Sequence, residues 1–559
     1  MNSIPGKVTQ LLHEFIVLNW GLSKDAFATD SSTVNTKQLR KLIIPHPTAG
    51  ELTSLATPNE DDFLEKEAAY LIEYGQKAAK SDDAIIPVEL WDRCILRGHF
   101  EWLPYSSKVA KALEVLRSKF AWRIYIINLV RSFFKYLKKN YGYDWWKNFN
   151  LRKADNLIEL KKDLSVGLDS LRRALNSSWW EWLDGSTCYF WRWPKEVRVD
   201  IRDGFKICVE KKLPEYKKRQ IFKGLNTEQM VALEIKVKKV VHRQYLSDGY
   251  VKSLINYFAV PKGADGIRVV YDGTKSGLTD AVWAPNFYMP SIDSILMYCS
   301  PKTWYSDLDL GEMFLNYFMD STIRPFCGVD VSRFTNDKKH PDTHWMQWNR
   351  MFMGFRASPY YAVKPFSWGL DVVRGNHKDQ NNAFAFDSIR INLPGSETYT
   401  PTLPWISKMN RGVEANDVTP YMDDGRPHGG SETGCRKAGK QTSKITQYLG
   451  QQDASRKYRP PSQQPGPWCG AFMASKNGSL WVYVSDDKWN KAKQYIQSWQ
   501  DEICWCAQHK TPTALPFKEL EKGRGFLVYL SRTYPSIVPY LKGIHLTIDS
   551  WRPNRDEDG

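Results

Sequence analysis

The run Val418-Thr419-Pro420-Tyr421-Met422-Asp423-Asp424-Gly425-Arg426-Pro427 decides how this 559-residue chain is read. A strand-like segment ends in two adjacent aspartates, and a glycine follows them. Adjacent acids on their own usually just face solvent. At the tip of a tight hairpin, however, they hold two carboxylates close together, and hard divalent cations such as magnesium prefer carboxylate oxygen. Metal-assisted chemistry would need a further carboxylate from another strand. Ser306-Asp307-Leu308-Asp309-Leu310 alternates polar and apolar residues as a half-buried strand does. Asp307 and Asp309 then share one face, and either can be that ligand. The two prolines point the other way: proline cannot donate to a sheet ladder, so Pro420 and Pro427 predict a short or distorted hairpin.

Tyr421-Met422-Asp423-Asp424 resembles the catalytic hairpin of reverse transcriptases, and five further motifs in chain order extend the resemblance. Leu308-Asp309-Leu310-Gly311-Glu312-Met313-Phe314 resembles the first catalytic motif of the retroviral-type enzymes, which favours Asp309 over Asp307. Leu310 then becomes a further metal contact. Phe314 stands where an aromatic ring excludes a 2′-hydroxyl. Tyr257 to Asp272 resembles the fingers hairpin, with Lys262 and Arg268 at the places that reach the triphosphate and Asp265-Gly266 as a favourable turn. Met289-Pro290-Ser291-Ile292-Asp293 resembles the run that leads to the first catalytic strand. Met353-Gly354-Phe355-Arg356-Ala357-Ser358-Pro359 resembles the Gln-Gly-x-x-x-Ser-Pro motif. There Gly354 permits close backbone approach, Pro359 suits a helix's first turn, and Met353 removes a polar contact near the nucleotide. Beyond the aspartates, Lys457 matches the residue that protonates pyrophosphate, with Arg456 as its neighbouring candidate. Trp468-Cys469-Gly470 resembles the hairpin that grips the primer.

The resemblance covers roughly residues 190–485. It implies an α+β right-hand polymerase of fingers, palm and thumb with a mostly helical N-terminal extension. The expected divisions are 1–184 for the extension, 185–485 for fingers and palm with an insertion loop near 376–416, and 486–559 for a thumb or connection-like region. The implied activity is that of a retrotransposon-type RNA-directed DNA polymerase. It would extend a primer on an RNA or DNA template with deoxynucleotides, using two Mg2+ ions for which Mn2+ can substitute. The implied roles are metal binding by Asp309, Asp423, Asp424 and Leu310, and general acid catalysis by Lys457. Lys262, Arg268, Phe314, Met353 and Gly354 would meet the nucleotide. Tyr421, Met422, Ser358, Pro359, Trp468 and Gly470 would meet nucleic acid. Other domains of a retroelement polyprotein are the expected protein partners. Two rival readings stand beside this one: an RNA-dependent RNA polymerase, against which Phe314 and Met422 argue, and an inactive polymerase-derived nucleic-acid-binding protein.

Composition fits a partner rich in phosphate. The formal charge is +16, 14% of residues are aromatic and 42% are hydrophobic, enough for globular cores and too many for a disordered chain. Residues 185–245 interleave aromatics with Lys and Arg and read as short strands and basic segments. Helical spacing marks several stretches within 57–180, including residues 156–175, and the segment KWNKAKQYIQSWQDEICWCAQ, whereas FLVYL near 526–530 reads as a strand. Weak order is expected over 24–56. The nine cysteines are odd in number and irregularly spaced, and Cys504-Trp-Cys506 is too isolated for a zinc site. With no secretory pattern at the N-terminus, a reducing intracellular compartment is expected, cytoplasm and nucleus being equally open. No apolar run is long enough for a membrane span.

Overall fold

The computed structural model describes residues 129, 132–133, 135–141, 154–176, 189–218, 226–262, 266–335, 343–451, 457–511 and 515–552. In chain order the helices are α1 (Ala154–Asn176), α2 (Lys195–Asp203), α3 (Thr227–His242), α4 (Leu278–Ala281), α5 (Ile292–Leu296), α6 (Ser358–Arg374), α7 (Glu432–Tyr448), α8 (Asp486–His509), α9 (Phe517–Ser531) and α10 (Val538–Ser550). The strands are β1 (Leu246–Asp248), β2 (Asn256–Lys262), β3 (Gly266–Asp272), β4 (Trp304–Asp309), β5 (Gly328–Asp330), β6 (Trp345–Trp348), β7 (Ser388–Ile391), β8 (Ile406–Asn410), β9 (Val413–Glu414), β10 (Asp417–Tyr421), β11 (Asp424–Gly429), β12 (Arg459–Ser462), β13 (Phe472–Lys476) and β14 (Ser479–Tyr483). The result is a mixed α+β architecture of several small antiparallel sheets. Among the described residues no helix is long and apolar enough to cross a membrane.

The sheet that matters most has the order β10-β11-β4-β12. The β10–β11 hairpin pairs without a gap, from Asp417 opposite His428 to Tyr421 opposite Asp424. Both prolines are accommodated. Pro420 lies on the edge strand, where a missing donor costs least. Pro427 lies on an inner strand, and there the β11–β4 ladder skips Arg426 and Pro427, then resumes in the same register at His428–Tyr305. The hairpin is therefore neither short nor distorted, contrary to expectation, and the interruption lies instead between β11 and β4. The central strand β4 is buried on both faces, because α7 covers the side that carries Ser306, 1% exposed.

Several local expectations need correction. The segment VRVDI lies in α2, where Val197 and Ile201 are buried four residues apart, a helical spacing. KVKKVVH closes α3, which opens on a capping box of Asn226 and Gln229. Phe190–Arg192 forms a 3-10 turn. FLVYL lies in α9, with Gly523, Leu527 and Leu530 on the buried face. Residues 376–416 are more than a loop: they hold the antiparallel sheet β7-β8-β9. That sheet is tied by polar groups, since buried Asn392 donates to the carbonyls of Thr400 and Leu403 and accepts from the Thr400 amide. Hydrophobic periodicity therefore had little to register there. The helical spacing of residues 62–80, one of the stretches within 57–180, and the weak order expected over 24–56 lie outside the described residues.

One large core runs from Leu129, Phe133, Leu164 and Leu171 in the N-terminal part to the residues beneath β4 and α6. Buried Asp163 reinforces the joint by accepting from Tyr136 Oη and Tyr141 Oη, both at 2.6 Å, and from Arg202 Nη1 at 2.9 Å. A second junction depends on Gly354. Its φ is +97°, and a Cβ there would lie 1.9 Å from the Tyr271 carbonyl oxygen on β3. The close approach foreseen at this glycine is thus made to the chain's own backbone, locking the loop before α6 onto the β2–β3 hairpin. Gly354→Ala is expected to cost more than about 2 kcal/mol through backbone strain and displacement of β3. Denaturant unfolding checks this, and an unchanged midpoint would refute it.

Candidate active site

The hairpin register sets the geometry of the acidic cluster. Tyr421 and Asp424 pair across a two-residue turn made of Met422 and Asp423. Met422 takes the left-handed conformation, φ +53°, and its side chain packs on the main core. The Leu310 amide donates to the Asp423 carbonyl at 2.7 Å, fastening the turn to the end of β4. On the neighbouring strand Asp309 stands directly opposite Asp424. Three carboxylates, Asp309, Asp423 and Asp424, therefore meet at one end of the sheet. Leu310 has a buried apolar side chain and a committed amide, which leaves only its carbonyl as a metal donor.

Asp307 shares this face but is otherwise engaged. Arg426, fully buried, donates Nε to Asp307 Oδ1 at 2.7 Å and Nη2 to Oδ2 at 3.1 Å. Arg459 adds a contact at 3.7 Å. Arg426 Nη2 also reaches the Gly466 carbonyl at 2.9 Å, and its guanidinium lies 5.3 Å from the centre of the Trp468 ring. Asp307 thus neutralises a buried arginine, while Asp309 stands opposite Asp424 beside the turn. Arg426 is the residue that sequence reading missed. It registered only as a flank of the aspartate pair, and no local pattern announces a partner 119 positions away.

Electrostatics mark the cluster as crowded. Burial, then the charges of Asp423, Asp309 and Asp307, pushes Asp424 up to about 7. Burial, then Asp309, also raises Asp423. Lys457 relieves part of this load, with Nζ 2.5 Å from Asp309 Oδ2 on a side chain that is 52% exposed. The donor set of hard, mutually repelling carboxylates suits a hard divalent cation. As they stand, the side chains do not enclose one: among the described residues no group of three or more His, Cys, Asp or Glu is arranged around a metal-sized point. The seven described cysteines are free, and Cys504 and Cys506 form no such group.

The other sequence-predicted residues are spread around this centre. Val260 on β2 pairs with exposed Arg268 on β3, and Lys262 ends β2 opposite Gly266. The turn between those strands, with Asp265, lies outside the described residues, as does Arg456. Phe314 is half-buried against the main core in the 3-10 turn Met313–Asn316. Met353 is 50% exposed. Pro359 occupies the first turn of α6, as its geometry predicts. Ser358 is fully buried and donates its hydroxyl to the Phe352 carbonyl at 2.8 Å, so it shapes the loop and has no free hydroxyl for nucleic acid. Trp468, 3% exposed, packs edge-on against Tyr421, and its ring is not available to a primer. Cys469 and Gly470 both take positive φ in the tight turn before β13, as primed hairpin turns require. The Gly470 carbonyl accepts from Lys488 Nζ at 2.8 Å.

Two outcomes follow from this geometry. Arg426→Met leaves the largely buried Asp307 charge with only the more distant Arg459 and is expected to destabilise the fold by about 3–5 kcal/mol, with Asp307→Leu in the same chain recovering most of the loss. Equilibrium unfolding of the single and double variants checks it. For Asp424, whose carboxyl is raised in the folded state, the proton it holds stabilises below the ordinary carboxylate range, and that contribution is lost as pH rises through about 7. His428, held neutral by burial down to about 4, acts with the opposite sign between about 4 and 6.5. The difference between parent and Asp424→Asn isolates the first effect. The variant's stability relative to the parent should climb between pH 4 and 7 and then level off, and a flat difference would refute the crowding.

No family model matches this sequence, and no curated protein matches it. Among solved structures the chain is similar to a foamy viral protease-reverse transcriptase in complex with double-stranded DNA, at 13% identity and a TM-score of 0.38. The match covers 61% of this chain and 46% of that one, so the chain spans less than half the length of the structure it matches.

Proposed function

We propose that this chain is an RNA-directed DNA polymerase of retroelement type, extending a primer on an RNA or DNA template with deoxynucleotides. The observation that carries the reading is the meeting of Asp309, Asp423 and Asp424 at the head of β4 and the β10–β11 turn, with Lys457 beside them. The order of motifs along the chain supports it independently.

In this reading Asp309, Asp423 and Asp424 hold two Mg2+ ions. Bound there, the ions would lower the pKa of the primer hydroxyl and neutralise the departing pyrophosphate. The chain's own residues do the rest. Arg268 and Lys262 meet the triphosphate, Arg as a fork and Lys as a point charge. Phe314, half-buried and therefore held in place, closes the space beside the sugar against a 2′-hydroxyl. Lys457 exchanges its contact with Asp309 for the leaving pyrophosphate and gives it a proton, help worth about 10²–10⁴ in rate. Ser358 and Gly354 act indirectly, by fixing the loop that carries Met353.

One observation favours a second reading, nucleic-acid binding without synthesis: the Lys457 ammonium sits on the ligand that synthesis needs. Primer extension on an RNA template with Mg2+ and deoxynucleotides separates the two. The polymerase reading expects extension by the parent and none by an Asp423→Asn, Asp424→Asn variant. Template binding by both with extension by neither would leave the second reading.

A further inference from the structure

The outer face of α7 carries a feature that the polymerase reading does not use. Lys437, Lys440, Lys444 and Tyr448 recur at intervals of three and four residues, which sets them along one stripe of this helix. All four are exposed, Tyr448 by 53%. Among the described residues none of the three lysines has a carboxylate within ion-pair distance. The one acidic residue of the helix, Glu432, is taken by Arg436 at 2.8 Å. At the helix's end Arg192 lies over one face of the Tyr448 ring, 4.6 Å from its centre, and donates to the Tyr448 carbonyl. That stacking braces the ring while much of it stays open.

The position of α7 separates this stripe from the carboxylates. The inner face of α7 packs on β4 and β11, with Cys435 Sγ 3.6 Å from Ser306 Oγ and 3.5 Å from the Pro427 carbonyl. Ser306 points to the face of β4 opposite Asp307 and Asp309, because side chains alternate along a strand. The stripe therefore looks out from the back of the sheet. A solvated row of lysines is the ordinary fate of such residues, but ordinary rows mix signs, and this one contains no acid and ends in a braced aromatic ring.

We propose that this stripe is a second nucleic-acid surface, which takes the phosphates of a single strand on Lys437, Lys440 and Lys444 and stacks a base on Tyr448. Charge complementarity names the occupant: three ammonium groups in line, none with a carboxylate partner among the described residues, match a polyanion, and an exposed ring matches a base of a single strand.

Binding of a long single-stranded RNA, followed by fluorescence anisotropy in EDTA without nucleotides across a salt series, tests this whether or not the chain synthesises DNA. Three phosphate contacts on a single strand contribute about 2 to the slope of log affinity against log salt. The Lys437→Gln, Lys440→Gln, Lys444→Gln variant should lose about that much slope. A charge-matched control, Lys236→Gln, Lys518→Gln, Lys542→Gln, should keep the parent's slope. Tyr448→Ala should weaken binding roughly fivefold or more at unchanged slope, which loss of charge alone does not produce. An unchanged slope in the α7 variant, or an equal drop in the control, overturns the proposal. So does loss of binding to anionic phospholipid vesicles with RNA binding intact, which would assign the stripe to a membrane surface.

Discussion

The buried ion pair between Arg426 and Asp307 is the constraint on which the acidic end of this protein rests. A guanidinium with no exposed surface needs its donors filled, and here a carboxylate, a backbone carbonyl and an aromatic face fill them. Each partner comes from a different part of the chain: Asp307 from β4, Gly466 from the connection after β12, Trp468 from the turn before β13. The pair therefore joins segments that hydrophobic contact alone would hold less specifically. It also stands at the rungs where Pro427 denies β11 a donor to β4. The side-chain pair crosses the sheet where the backbone ladder does not, which keeps the register intact on both sides of the gap and Asp424 opposite Asp309.

From that point the cluster is linked to the C-terminal helices. Tyr421 packs against Trp468, and the turn at Cys469-Gly470 docks on α8 and α9. A side chain at Gly470 would lie 1.5 Å from Tyr529 Oη, which itself accepts from Lys488 Nζ at 2.7 Å. Packing thus runs from the aspartate turn through two aromatic rings and a glycine to the helical region. A displacement of α8 and α9 would be felt at Tyr421. The insertion sheet is fastened to the same neighbourhood. Burial works against the charge of Asp417, but Arg374 and Lys408 outweigh it and hold its carboxyl at about 2. One carboxylate so ties α6, β8 and the start of β10.

How much of this was legible in the sequence depends on whether the signal was local. The strand at Asp309 and the helix start at Pro359 announce themselves by local chemistry, while the Tyr421–Asp424 turn, the β2–β3 pair and the loop at Gly354 are expected from the resemblance together with their turn residues, and each is found where it is expected. The misreadings share a cause. VRVDI and FLVYL are five-residue runs of mostly apolar residues, too short for periodicity to separate a strand from a buried helix segment. The β7-β8-β9 sheet hides its order in side-chain amides, with Ile389 and Ile391 exposed and Asn392 buried. The Ser358 hydroxyl and the Trp468 ring fit the motifs they resemble, yet burial decides what they can touch. Arg426 lies at the far end of this scale, because the meaning of a charged residue inside a strand is fixed by a distant partner.

The same view explains why the acidic turn is so poorly neutralised. The fold places the buried Arg426 guanidinium on Asp307, with Arg459 more distant, and one ammonium on Asp309, and Arg426 and Lys457 differ in kind. Arg426 is buried, doubly bonded to its partner and confined by rings, so it cannot leave without stranding a charge. Lys457 is half-exposed and holds Asp309 by a single contact, so water can replace it at little cost. Asp423 and Asp424 have no cation of their own within ion-pair distance among the described residues, and burial raises both, reinforced by Asp309 at Asp423 and by Asp423 and then Asp309 at Asp424. A fixed cation thus sets the strand, while a removable one guards the carboxylate that faces the turn. Three acids are kept close at an electrostatic cost with only an exchangeable charge beside them, and this is the repulsion that the proposed metal role would relieve.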